Sequence, residues 1–259
     1  MAEEILDQNN QLLDDPAMQA PVEAGVFIGR TKRKTHPRMR PFILTTRNDV
    51  EIINLGKTLE KLEEAMEFVK SKVVAKVPLL LVGAQPTAEE GLLKLSEEFT
   101  LPAVTVRWLG GTLTNYKIIS KRLEYYKKLK ADWKAGVFQQ KYTKKEQLGI
   151  ERELEKLTEL MSGLENMTVR PEVLIVIDPV AHKAAVREAR KLGIPIVAYA
   201  STDTDPDDVD YIIPGNTKAR SSVNWFLEKL AETIREGQKE AVAVALKKDT
   251  PAAVEKPKE

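Results

Sequence analysis

The sequence contains no cysteine and only two histidines, His36 and His182, among 259 residues. The absence of cysteine excludes disulfide bonds, thiolate metal sites and cysteine nucleophiles, and two histidines do not suggest a histidine-rich metal site. No apolar run approaches the roughly 18 residues that can span a membrane. The acidic N-terminus also lacks the cationic and apolar regions of a secretory signal. We therefore expect a soluble protein of a reducing, cytoplasmic compartment, with no membrane partner.

Charge is arranged in blocks along the chain, although the formal net charge is only +1. Residues 24–48 contain seven lysines and arginines and no acid, and residues 117–145 contain ten bases and two acids. Residues 1–23 and 146–165 are acidic, with six Asp and Glu residues each. Charge that is sorted in this way indicates partners even when the total charge does not. Two basic blocks on a neutral chain predict nucleic-acid binding, because a polyanion needs local neutralisation of its phosphates.

Apolar runs and helical periodicities alternate along most of the chain. The run VPLLLVGA (77–84) predicts a strand buried on both faces, and further strands are predicted at 49–55, 101–109, 172–178, 194–200 and 210–216. Helical spacing of apolar residues predicts helices at 56–73, 87–98, 181–193 and 219–237. Strands that alternate with helices give an α/β fold, with a parallel sheet and helices on both of its faces.

The centre of the chain has a different pattern. Apolar residues follow a spacing of three and four in two segments that are separated by a break at 135–136: Tyr116, Ile119, Leu123, Tyr126 and Trp133, then Ile150, Leu154, Leu157, Met161 and Leu164. Lys130 interrupts the first segment. The pattern predicts an antiparallel helical hairpin, a short coiled coil whose seam residues pack mainly on each other.

The chain is therefore divided into five segments. The predicted units are a mobile acidic tail (1–22), a discontinuous α/β domain (23–111 and 167–239), the inserted hairpin (112–166) and a second mobile tail (240–259).

Two polar features at predicted strand ends are candidate sites, because α/β sheets bind ligands at the carboxyl ends of their strands. VGAQPTAEE places a glycine turn before a helix, where a phosphate could bind, but it lacks both the dinucleotide and the P-loop fingerprints. Asp178 ends a strand and His182 follows four residues later. This pair could transfer protons, yet no serine nucleophile is evident nearby. Asp178 is better explained as the cap of the following helix.

The acidic loop STDTDPDDVD (201–210) is the most enzyme-like feature of the sequence. Its aspartates could hold Mg²⁺, and Asp203 and Asp205 resemble the D-x-D pair of haloacid-dehalogenase-type phosphatases. A Mg²⁺-dependent phosphatase is therefore the competing function. That chemistry needs its nucleophilic aspartate at the strand end, where Ala200, Ser201 and Thr202 intervene. A polar turn with Asx-type hydrogen bonds is favoured, and we expect no catalytic residue, metal or cofactor.

Several segments stand in the order and at the spacing of a known family: AGVFIGR, HPRMRPFI, RNDVEIINLGKTLE, RWLGGTLTN, TKKE, LGIPIVA and DTDPDDVDYIIPGN. Through them the sequence resembles the bacterial family of small-subunit ribosomal protein two, from about residue 24 to 239. The chain differs from the family at Phe27, Ile28 and Arg30, where the family commonly has the stretch G-V-H-F-G-H. It also differs at 84–86, where relatives tend to have a basic turn. No role resting on those imidazoles, and no RNA contact at 84–86, is therefore expected.

The resemblance implies a flavodoxin-like sheet with an inserted helical hairpin and a non-enzymatic, structural role in the small ribosomal subunit of the cytoplasm, supporting assembly and translation. The implied partners are the rRNA of that subunit and neighbouring ribosomal proteins, including protein one; no small-molecule substrate is implied. The residues expected to bind rRNA are Arg30, Lys32, Arg33, Lys34, Arg38, Arg40, Arg47, Arg107, Trp108, Asn115, Lys117 and Lys121.

Overall fold

The computed structural model describes residues 16–138 and 142–248. Its strands are β1 (Ile28–Thr31), β2 (Ile43–Arg47), β3 (Val50–Ile53), β4 (Leu79–Val82), β5 (Ala103–Val104), β6 (Val173–Ile177), β7 (Ile196–Ala200) and β8 (Tyr211–Pro214). Its helices are α1 (Pro16–Glu23), α2 (Leu55–Val74), α3 (Pro86–Phe99), α4 (Tyr116–Lys134), α5 (Lys144–Met161), α6 (Lys183–Leu192) and α7 (Arg220–Lys248). Short 3₁₀ turns occupy Lys32–Lys34, Pro37–Phe42, Ser162–Leu164 and Pro206–Asp208.

The central sheet contains five parallel strands in the order β5-β4-β6-β7-β8. Counted from β4 along the chain, this is the order 2-1-3-4-5 of flavodoxin-like sheets. The prediction of an α/β fold with a parallel sheet is confirmed. The predicted strand at 101–109 is much shorter than expected, because only Ala103–Val104 pairs with β4. This strand lies at the edge of the sheet, where pairing has to come from one side.

Alternate residues of the buried strands face two hydrophobic clusters, one on each side of the sheet. On the first side the strands pack against α2, α3 and α7, whose inward residues include Val223 and Phe226 as predicted. On the second side Leu80 and Leu174 belong to one cluster with α6 and with the hairpin helices α4 and α5. Residues of α4 and α5 therefore share a hydrophobic cluster with one face of the sheet, instead of packing only on each other.

A close approach fixes the end of the hairpin against the sheet. In the turn after α5, a Cβ built on Gly163 would lie 2.1 Å from the carbonyl oxygen of Ala103 in β5. Only a residue without a side chain permits this contact. Helices α4 and α5 also contact each other, and Lys130 of α4 pairs with Glu165. The apparent break in the predicted seam at Lys130 is therefore an ion pair.

A second, smaller sheet was not predicted. β1, β3 and β2 form an antiparallel sheet in that order. The β2–β3 turn has Asn48 and Asp49 at positive φ, 49° and 61°, as a two-residue hairpin turn requires. The predicted strand at 49–55 is confirmed as β3, whereas the basic stretch, expected as an extended arm or loop, contains β1, β2 and two 3₁₀ turns.

The predicted terminal tails are shorter than expected within the described residues. Residues 16–22 belong to α1, where Met18 is buried, and α7 continues to Lys248 with Ala241 buried. The remaining parts of the predicted tails, 1–15 and 249–259, lie outside the described residues. Across 16–138 and 142–248, no helix is long and apolar enough to cross a membrane.

Candidate nucleic-acid interface

The basic segment, residues 30–47, is attached to the carboxyl edge of the central sheet. Met39 is fully buried in a small cluster with Ala200, the last residue of β7, and Ile212 of β8. The backbone N–H of His36 donates to the carbonyl oxygen of Thr202 at 2.8 Å. This apolar side chain and this backbone hydrogen bond help to hold the segment at the sheet edge, while most of its charged side chains stay exposed.

Arg30 and Arg38 were predicted to bind RNA, but their guanidinium groups form ion pairs with aspartates of the protein itself. The Arg30 side chain is only 18% exposed. Its Nη2 lies 3.3 Å from Asp178 Oδ2, and its Nε lies 3.1 Å from Asp203 Oδ2. Arg38 is more exposed and pairs with Asp205 and with an aspartate two residues later. Arg30 therefore belongs to the interior network, because a phosphate would have to displace two carboxylates to reach it.

The other five cations of the basic segment are exposed: Lys32, Arg33, Lys34, Arg40 and Arg47. None of them forms an ion pair with another residue in the described parts of the chain. Lysine and arginine side chains in this state can neutralise phosphates without first breaking an internal contact. Of the residues predicted to bind rRNA in this segment, these five have the most favourable geometry, because they are exposed and have no ion pair among the described residues.

The carboxylate of Asp178 is the centre of a buried network at the crevice between β4 and β6. Its Oδ2 accepts hydrogen bonds from Gln85 Nε2 at 2.5 Å and from Thr217 Oγ1 at 3.2 Å, in addition to Arg30. Burial alone would raise the pKa of Asp178, but these hydrogen bonds, the Ala181 N–H and the nearby cations hold the pKa below its ordinary value. This crevice is where flavodoxin-like sheets bind ligands, and here three side chains of the protein bind the Asp178 carboxylate in it.

His182 is held in one tautomer by the same crevice. Its Nε2 lies 2.9 Å from the N–H of Ala84, which can only donate, so Nε2 accepts. Its Nδ1 lies 3.0 Å from the carbonyl oxygen of Asp178, so Nδ1 carries the proton. Asp178 does not cap α6 as predicted, because α6 begins at Lys183. Its Oδ1 instead accepts from the N–H of Ala181 at 3.2 Å in the preceding turn.

The loop that connects β5 with α4 is organised by Glu188 of α6, a residue that sequence reasoning did not identify. Glu188 Oε1 accepts from Trp108 Nε1 at 3.0 Å and from the N–H of Gly111 at 2.8 Å. Its Oε2 accepts from the N–H groups of Leu113 and Thr114 and from the Thr114 hydroxyl, all at 3.1 Å. Burial would raise the pKa of Glu188, but these bonds lower it below its ordinary value.

The same loop changes the interpretation of one predicted RNA contact. Trp108 is 9% exposed and its ring nitrogen is bound to Glu188, so it belongs to the core and presents no face to RNA. The remaining predicted residues of this region, Arg107, Asn115, Lys117 and Lys121, are exposed. Lys117 and Lys121 stand one helical turn apart on α4 and therefore share a face.

The acidic loop lies against the basic segment. Asp203 and Asp205, the pair that suggested a phosphatase, are bound to Arg30 and Arg38 respectively. Asp205 also accepts the N–H of Asp207 at 3.1 Å, the Asx-type bond expected for a polar turn. In the described ranges, no group of three or more histidine and acidic side chains is placed to hold a metal ion.

Comparison with known proteins adds independent information to this geometry. The family model described as "Ribosomal protein S2" matches residues 22–237. The chain is also 42% identical, over 222 residues, to the "Small ribosomal subunit protein uS2" of Corynebacterium urealyticum, covering 86% of this chain and 82% of the relative. The matched region includes both sheets, the hairpin, the basic segment and the acidic loop. The chain belongs to the ribosomal protein S2 family.

Proposed function

We propose that the chain is a structural constituent of the small ribosomal subunit that binds its rRNA and supports subunit assembly and translation. The observation that carries the proposal is the row of exposed cations in the basic segment that have no internal ion pair among the described residues. RNA affinity rests largely on phosphate neutralisation, and these side chains can bind phosphates without first breaking an internal ion pair. In the ligand crevice of the fold, in contrast, the Asp178 carboxylate is already bound by side chains of the protein itself.

The proposed interface has two parts. The basic segment supplies Lys32, Arg33, Lys34, Arg40 and Arg47. The loop before α4 and the first turns of α4 supply Arg107, Asn115, Lys117 and Lys121. Arg30 and Trp108 support the interface from inside, because Arg30 is bound to the buried Asp178 and the largely buried Trp108 to Glu188.

The partners proposed are the rRNA of the small subunit and neighbouring ribosomal proteins, protein one among them, on a cytoplasmic ribosome. The two helices of the hairpin differ in charge: α4 is strongly basic, with seven bases and two acids, whereas α5 is nearly neutral, with five acids and four bases. One flank can face phosphate while the other faces protein or solvent.

The salt dependence of rRNA binding tests the proposal. Replacing Lys32, Arg33, Lys34 and Arg40 by Gln should reduce the slope of log affinity against log salt by roughly 3 units, since each phosphate contact contributes about 0.7–0.9. The control removes four cations from other surfaces of the α/β core, each paired with an acid: Lys61, Lys94, Lys229 and Arg235.

The control should leave the slope nearly unchanged. An equal loss of slope in both variants would mean that charge acts without a defined interface, and no loss in either would remove the basic segment from the interface. Sedimentation of the tagged protein from cell extract tests the broader role. Co-migration with small subunits is expected for the wild type and should decrease for the variant with Gln at positions 32, 33, 34 and 40.

A further inference from the structure

The acidic loop is joined to the basic segment at several points, although the two are more than 150 residues apart in the chain. Arg30 Nε lies 3.1 Å from Asp203 Oδ2, and the N–H of Arg30 donates to Thr202 Oγ1 at 2.9 Å. Eight residues further on, Arg38 Nη1 lies 3.1 Å from Asp205 Oδ2 and 2.6 Å from Asp207 Oδ2. The segment between these arginines carries Lys32, Arg33 and Lys34.

Arg38 and its two aspartates form a small charge network at the surface. The hydrogen bond and the charge of Asp205 raise the pKa of Arg38. Burial would raise the pKa of Asp205, but the N–H of Asp207 and the Arg38 guanidinium lower it. A single exposed ion pair stabilises little; here one guanidinium is shared by two carboxylates, and the neighbouring Met39 is fully buried.

These carboxylates raise a physical question for a surface that binds RNA. Aspartates beside phosphate-binding cations repel the RNA backbone, and if charge were their only effect, removing them would strengthen binding. Aspartates of this loop also bind Arg30 and Arg38, the two arginines between which three of the exposed cations lie. A second effect, of opposite sign, is therefore built into the same contacts.

We propose that the acidic loop is a clamp that holds the basic segment in its RNA-binding conformation through Asp205 and Asp207, so that binding does not have to order the segment. The proposal rests on the proposed function, because the clamp matters for RNA only if the segment binds RNA. Immobilising flexible side chains and loops on binding reduces affinity, and a preformed conformation avoids that loss. Asp205 and Asp207 are positioning residues, since they act through Arg38.

The test is a double variant, Asp205→Asn with Asp207→Asn. Asn at position 205 keeps an oxygen that can accept the N–H of Asp207, so the turn retains its hydrogen bond. The matched control is Asp208→Asn in the same loop, because Asp208 forms its ion pair with Arg190 of α6 and reaches Arg38 only through its charge, more weakly than Asp205 and Asp207 do. Each variant is measured for affinity to small-subunit rRNA over a salt series and, without RNA, for the rate of tryptic cleavage after Arg33.

The clamp predicts that the double variant binds rRNA roughly five to ten times more weakly, the effect of re-ordering one or two long side chains, although it is less acidic. Its salt slope should be unchanged, because the phosphate-contacting cations are intact, and its cleavage after Arg33 should be faster. Asp208→Asn should bind as tightly as the wild type or slightly more tightly. Arg38→Gln, which releases the clamp from the other side, should speed cleavage after Arg33 to a similar degree.

Binding of the double variant that is unchanged or tighter would overturn the proposal, as would an unchanged rate of cleavage after Arg33 in both the double variant and Arg38→Gln. Failure of the proposed function has a different signature. In that case the variant with Gln at positions 32, 33, 34 and 40 would retain the wild-type salt slope. The cleavage rates are measured without RNA and would still report on the clamp.

Discussion

Replacing Glu188 by Gln should destabilise the protein by an amount that the structure allows to be worked out. Both carboxylate oxygens act as acceptors: Oε1 for Trp108 and Gly111, Oε2 for Leu113 and Thr114. Glutamine has only one side-chain oxygen. Its NH₂ group would replace the other oxygen and would face two loop donors that need an acceptor. One side of the loop would therefore lose its acceptor whichever way the amide is turned.

The expected loss follows from the number of donors that are left without a partner. Two donors without an acceptor cost about 1–3 kcal/mol each when buried, and the half-exposed position of Glu188 lets water recover part of this. We therefore expect the free energy of unfolding to fall by about 2–4 kcal/mol at neutral pH. For a chain of this size that corresponds to a decrease in Tm of roughly 5–12 °C.

The pH dependence provides a second readout with a definite sign. The pKa of Glu188 is lowered in the folded state, so its contribution to stability is present above the ordinary pKa of glutamate and is lost as the pH falls through the lowered value. The deficit of Glu188→Gln relative to the wild type should therefore shrink in acid. Thermal or denaturant unfolding at neutral pH and near pH 3, well below the ordinary glutamate pKa of about 4.3, measures it.

The control for this variant is Glu159→Gln on α5, an exposed position where the change should stay within about 0.5 kcal/mol. The reasoning would be refuted if Glu188→Gln unfolded like the control at neutral pH. It would also be refuted if the deficit were the same at both pH values, since the ionised carboxylate would then contribute nothing to the loop.

Two further predictions concern the hairpin. Gly163→Ala should lower the free energy of unfolding by about 1–3 kcal/mol, because the new Cβ would lie 2.1 Å from the Ala103 carbonyl oxygen. The matched control Gly149→Ala, which has open space around it in α5, should instead raise the free energy of unfolding by about 0.5–1 kcal/mol. Denaturant unfolding of the two variants and the wild type measures both changes. Replacing residues 113–166 by a short Gly/Ser linker should broaden the unfolding transition in calorimetry, because the cluster on one sheet face loses the residues of α4 and α5, whereas a retained sharp transition would show that the hairpin is separable.

The central sheet could be predicted from sequence because a parallel strand that is buried on both faces is a continuous apolar run. Val173–Ile177 and Ile196–Ala200 are such runs and lie where they were expected. Of the small sheet only β3 could be predicted, because its burial alternates along the strand; β1 and β2 are only four or five residues long, and all of their side chains are exposed or half-buried. Short exposed strands leave no periodic pattern, and the nearby prolines favoured a loop.

The helical hairpin shows a different limit of sequence periodicity. The spacing in α4 and α5 correctly indicated which residues are inward, since Ile119, Leu123 and Tyr126 are buried. It could not indicate what they face, because a seam that packs on a partner helix and one that also covers a sheet have the same period. The contact of Gly163 with Ala103 carries the missing information, and it depends on two residues that are 60 positions apart.

The candidate interface illustrates the same limit for charge. A count along residues 24–48 gives seven cations, but Arg30 and Arg38 are bound to acids that lie 148 and 167 residues further along the chain. The other five have no ion pair within residues 16–138 and 142–248 and can meet phosphate. At about 0.7–0.9 units per phosphate contact, the salt slope contributed by the segment should therefore not exceed roughly 4.5, instead of the roughly 6 that the simple count gives. A measured contribution of 6 would mean that RNA displaces both internal acids, so the slope itself reports whether the acidic loop remains in place when RNA is bound.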